Sequence, residues 1–111
     1  MNSDFPERTC EISRLVTHPK MVASVIAGSK VQQRRNGLYA YPDEVFELEG
    51  IPFVIISVEM KRLGDMTEAD AQAEGYPTLG AYKQLILKMH AGMSWNDEDQ
   101  VWVHTFKRTV S

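Results

Sequence analysis

The sequence predicts an α+β domain, a small mixed β-barrel with helices at its ends or side. Three observations lead there. Four segments have strand character, at residues 30–35, 44–48, 51–63 and 100–109. Three others carry helix caps and stops. Their order is one helix, three strands, two helices and a last strand, which lets the terminal strand close a small barrel. The chain has 111 residues, enough for one domain and not two.

Residues 1–10 read as a loose tail and 11–111 as the domain. In Thr17-His18-Pro19, Thr17 is placed to cap a helix, and Pro19 suits the first turn, where no backbone donor is needed. Val22, Val25 and Ile26 then form one apolar stripe, and Gly28 ends the helix. The strand at 30–35 is polar and runs into the turn signal Asn36-Gly37. Residues 44–48 alternate, Glu49-Gly50 turns the chain, and 51–63 return, with Pro52 near the start, where a sheet tolerates it. Thr67 with Asp70 reads as a capped short helix stopped by Gly75. Thr78 caps the next helix, whose face is Leu79, Tyr82, Leu85, Ile86 and Met89. On the last strand Val101, Val103 and Thr105 face one way, and Trp102, His104 and Phe106 the other.

Composition narrows the function classes. Cys10 is the single cysteine, so no internal disulfide or cysteine-based zinc site can form, which fits a reducing, cytoplasmic setting. The longest apolar run, 51–56, is far short of the about 20 residues that a membrane span needs. The net charge of −3 disfavours binding to duplex DNA. The basic residues nevertheless cluster, as Arg34-Arg35, Lys61-Arg62 and Lys107-Arg108, so a basic groove on an acidic body is compatible with the balance. His18, His90 and His104 lack metal-ligand spacing, and no metal or other cofactor is implied.

The segment most suited to chemistry is Gly28-Ser29-Lys30-Val31-Gln32-Gln33-Arg34-Arg35. Lys30, Gln33 and Arg35 would offer a cation, an amide and a guanidinium to one ligand, a set suited to phosphates and base edges. The same strand also fits a solvated sheet edge. Tyr39, Tyr41 and Tyr76 lie in loops or at a helix break. They either stack on unpaired bases or cover the barrel mouth.

Gly28-Ser29-Lys30 followed by Arg35 resembles the signature G-x-K-x-x-x-x-R of the ASCH domain, a relative of the PUA domain of RNA-modifying proteins. The segment from Ala73 to Leu79 resembles the family's acidic helix-break-helix, and the segment from Trp102 to Phe106 its closing strand. The resemblance spans residues 15–109. It implies a PUA-like barrel with a cleft beside the signature strand, and a link to single-stranded RNA or to a nucleoside or nucleotide. In the small acetylcytidine amidohydrolases of this family a lysine acts as base, a threonine three residues later as nucleophile, and a later glutamate completes the site. Those positions are Lys30, Gln33 and Glu74 here. A carboxamide cannot be such a nucleophile. The expected ligand contacts are therefore Lys30, Gln33, Arg35, Glu74 and Tyr76, with Lys30 and Glu74 as the catalytic candidates. The leading expectation is recognition of RNA or a nucleoside. A hydrolase of the amidohydrolase or ribonuclease kind is the alternative, and a protein-interaction module the third option.

Overall fold

A computed structural model describes residues 5–90, 92 and 94–109. A short helical turn, Ile12–Arg14, precedes α1, Pro19–Ala27. Strands β1 (Gln32–Arg35), β2 (Val45–Leu48) and β3 (Ile51–Arg62) follow. The helices α2 (Glu68–Ala73) and α3 (Leu79–Met89) lead to β4 (Gln100–Arg108). The α+β class and its element order are as the sequence predicts.

The sheet order is β1-β4-β3-β2, with every pairing antiparallel. The terminal strand inserts between β1 and β3, leaving β1 and the four-residue β2 as the outer strands. Ile55 pairs with Phe106 but Ser57 with Thr105, so Ile56 is an extra residue in β3. Such a bulge increases local twist. The sheet curls into a PUA-like half-barrel, antiparallel throughout where a mixed barrel is expected from the sequence.

The core lies inside the curl. Leu15, Leu38, Ile55 and Phe106 are buried, and Phe106 meets Phe46 edge-on at 5.5 Å between ring centres. A second, smaller core joins Met66 and Ala71 to Tyr82 on α3. The capping box of Thr67 and Asp70 is present, as is the Thr78 cap on Ala81. At α1 the cap is His18 rather than Thr17. The Nδ1 atom of His18 accepts from the Lys20 amide at 3.2 Å, because the extended residue directly before Pro19 is the one placed to do so.

Residues 5–10 are seated on the domain, where the sequence suggests a loose tail. Phe5 packs edge-on against Tyr41, Arg8 pairs with Glu44, and the Thr9 amide donates to the Leu38 carbonyl. These partners are distant in sequence, so composition gives no sign of them. Residues 1–4 lie outside the described part.

Candidate functional site

The site begins where α1 stops. Gly28 takes the left-handed conformation at φ 87°, which lets the amides of Ser29 and Lys30 fold back onto the Ser24 carbonyl. Lys30 is thereby turned inward and is 2% exposed. The next amide, that of Val31, donates to the Ala73 carbonyl at 2.7 Å and ties the approach of β1 to the end of α2. Glu74 caps α2, and Gly75 breaks the chain at φ 104°. A side chain at position 75 would lie 3.3 Å from the Lys30 Cβ, so a glycine there serves both backbone and packing.

Around Glu74 the side chains form a buried ionic cluster. Lys30 Nζ donates to the Glu74 carbonyl at 2.9 Å and to Oε1 at 3.2 Å. Arg34 Nη1 donates to Oε2 at 2.9 Å and to Gln32 Oε1 at 2.9 Å. Glu74 is 1% and Arg34 7% exposed. Two cations thus share one carboxylate, with Asp70 3.9 Å from Arg34 as a more exposed counter-charge. Burial holds the Lys30 amine below its ordinary pKa, against the pull of Glu74 and with the help of the Arg34 and Arg35 charges.

Lys30 and Glu74 form part of the wall of a cavity of about 290 Å³ between α1 and α3. His18, Ser24, Tyr76 and Leu85 are among its other lining residues. It joins an apolar surface to a few convergent polar groups, the usual make-up of a small-molecule site.

No protein-family model matches the chain, and no curated protein matches it. Solved structures do. The structure of an ASCH domain from Lactobacillus crispatus superimposes with a TM-score of 0.64 at 14% identity, covering 80% of this chain and 70% of that one. The fold is that of an ASCH domain. A DUF984 protein from Enterococcus faecalis shares it with a TM-score of 0.57 at 13% identity, covering 92% of this chain and 74% of the other.

Within this ASCH fold, the structure brings together Lys30, Glu74 and Tyr76. It sends Arg35 elsewhere. The Arg35 Nε and Nη2 atoms donate to the Leu15 carbonyl at 3.1 and 2.8 Å, and its guanidinium lies over the Tyr39 ring, 5.3 Å from the centre. Gln33 is buried, is not among the residues lining this cavity, and donates to the Arg34 carbonyl at 3.2 Å. Its Oε1 has no partner among the described residues. Arg34 takes the place beside Glu74. Strand alternation carries the signal for that, since Lys30, Gln32 and Arg34 share one parity and Gln33 and Arg35 the other. His18 and Ser24 were also missed as wall residues, because their nearness to Glu74 depends on how α1 docks.

The ASCH scaffold holds a second cavity, of about 240 Å³, beyond the Arg34–Glu74 pair. Arg34, Arg35, Tyr39, Tyr82, Ile86 and Trp95 contribute to its wall. His104 is fully buried and satisfied. Its Nε2 accepts from the Tyr39 amide at 3.1 Å, which leaves the proton on Nδ1 to donate to the Gln33 carbonyl at 3.2 Å. Among the described residues no cluster of His, Cys, Asp and Glu could hold a metal, and no helix is long and apolar enough to cross a membrane.

Proposed function

We propose that the α1–α3 cavity binds a nucleoside, free or as a unit of single-stranded RNA. The observation that carries this reading is the buried cluster of Lys30, Glu74 and Arg34 at the cavity wall. Burying such groups is costly, and perturbed ionisable groups in a cleft mark a candidate functional site. Lys30 would donate to a base carbonyl or phosphate, Glu74 would accept from an exocyclic amine, and the Tyr76 ring would pack on the base. The ASCH fold agrees with this through its link to RNA and nucleosides. Titration of the pure protein with ribonucleosides and with single-stranded RNA tests the reading. Lys30→Met and Glu74→Gln are each expected to weaken binding by about 1.5–3 kcal/mol with circular dichroism unchanged. Equal affinity in both folded variants would overturn it.

One further observation favours a hydrolase at the same place. Burial lowers the Lys30 amine from its ordinary value, the direction a general base needs, and Ser24, whose hydroxyl donates to the Lys20 carbonyl at 3.0 Å, stands in the same wall. On this second reading Ser24, or a water, attacks the acyl carbon of an acylated nucleoside such as acetylcytidine and passes its proton to Lys30, which returns it to the departing amino group as the acyl C–N bond breaks; where Ser24 attacks, a water then releases the acyl group from it as acetate. Turnover of acetylcytidine by the unmodified protein that is lost in both Ser24→Ala and Lys30→Met would support attack by Ser24, and loss in Lys30→Met alone would support water. Gln33→Thr is expected to leave turnover unchanged, since Gln33 is not part of this cavity wall.

A further inference from the structure

Lining residues of the two cavities touch one another and form a partition between them. Its polar half is the Glu74 carboxylate, which takes Lys30 on one oxygen and Arg34 on the other. Its aromatic half is the edge-to-face contact of Tyr76 with Tyr82, 5.4 Å between ring centres. Helix α3 serves both sides. Leu85 and Met89, one helical turn apart, line the first cavity, while Tyr82, Ile86 and His90 line the second.

The second cavity has its own chemistry. Three aromatic rings, Tyr39, Tyr82 and Trp95, stand in its wall with the guanidinium groups of Arg34 and Arg35. The Arg35 Nη1 atom makes no hydrogen bond among the described residues, so its donors are available. Tyr82 also keeps its proton, because burial and the neighbouring Glu74 push its phenol well above the ordinary range. Arg35 lies over one face of Tyr39 and Lys83 over one face of Trp95, and such aromatic rings with N–H and O–H donors beside them suit a flat ring that carries acceptor atoms on its edge. At about 240 Å³ the cavity is somewhat smaller than the first, at about 290 Å³, and has room for a single heterocycle.

We infer that the Trp95 cavity binds a second base, adjacent in the same strand to the one in the α1–α3 cavity, so that the preferred ligand is a dinucleotide step of single-stranded RNA. The inference rests on the nucleoside reading of the first cavity. The shared partition lets successive bases of one strand straddle α3 and Glu74, and it makes the second base a gain in affinity over the first.

Affinities for single ribonucleosides and for dinucleoside monophosphates, measured by calorimetry, test this. The dinucleosides are expected to bind roughly tenfold or more tightly, the scale of one base stacking on an aromatic side chain. Trp95→Ala and Tyr39→Leu, each checked by thermal melting, are expected to remove that gain while leaving affinity for the single nucleoside intact. Trp95 fluorescence, identified against Trp95→Phe, is expected to change with the dinucleoside and not with the nucleoside. Equal affinity for both ligand classes, or a gain that persists in both folded variants, would overturn the second-base site and leave the first cavity standing. Loss of nucleoside binding in Lys30→Met, with the dinucleoside gain still tied to Trp95, would support both sites. Failure of single nucleosides to bind at all would overturn the reading on which the inference rests.

Discussion

The sheet and the helical pair are held by different forces. Inside the curl of the sheet, contact is apolar and complete, with Leu15, Leu38 and Ile55 showing no exposed surface. The helices α2 and α3 attach through polar links instead. These are the Val31–Ala73 hydrogen bond, the lysine contact with the Glu74 carbonyl, and the two ion pairs on Glu74. On α3 only Tyr82 is buried, Leu85 and Ile86 are half-buried, and Met89 is 44% exposed. The sheet supplies stability, and a polar tether positions a helical wall that retains open apolar surface.

Phe106→Ala would break the comparison from the sheet side and should have the largest effect. Removing a buried phenylalanine costs about 3–5 kcal/mol, and urea denaturation should show the whole domain losing it. Glu74→Ala should come next. Breaking a buried ion pair typically costs about 3–5 kcal/mol, and the value here should fall at the low end because Arg34 keeps Gln32 and Asp70 as partners. Hydrogen exchange should place the loss in α2 and α3 first, with β3 and β4 still protected. Equal loss of protection in sheet and helices would show that the two regions form one unit. Leu85→Ala should cost only about 1 kcal/mol, since a half-buried side chain forfeits only part of its transfer energy. A larger fall in melting temperature would mean that the α3 face is more closely packed than its exposure indicates.

The smallest effect expected is on pH dependence. Burial, with the nearby Arg35 charge, holds the His104 pKa below its usual value despite the Gln33 carbonyl bond. The unfolded chain therefore binds a proton at a higher pH than the native one does. Stability from this group is complete above about pH 6.5 and declines as pH falls through the lowered native value. His104→Gln, which can still accept from the Tyr39 amide, should flatten the stability profile between about pH 7 and 5. An unchanged profile would assign the acid sensitivity to other groups.

Much of the fold was legible because its signals are local. Thr67 with Asp70, Thr78, Gly28 and Gly75 act within a few residues of themselves, and each cap or stop lies where the sequence puts it. The bulge at Ile56 was not legible, since it exists only relative to β4. The neighbourhood of Lys30 was partly legible. Its motif spacing drew attention to Arg35, but the geometry of a strand favours Arg34, which the structure places on Glu74. The Leu15 carbonyl that occupies Arg35 comes from a distant turn, so no local pattern announces it.

The outermost strand has a consequence for the behaviour of the molecule in a crowded solution. An open half-barrel presents the free edge of β2, a template on which another chain could in principle add a strand. That strand is four residues long, with Val45 57% exposed. Glu47 projects from it and Glu49 follows it, while Glu44 before it is paired with Arg8. A short edge guarded by carboxylates repels its own copy at neutral pH. The same acidic residues that make the chain anionic overall thus protect this flank from edge-to-edge aggregation.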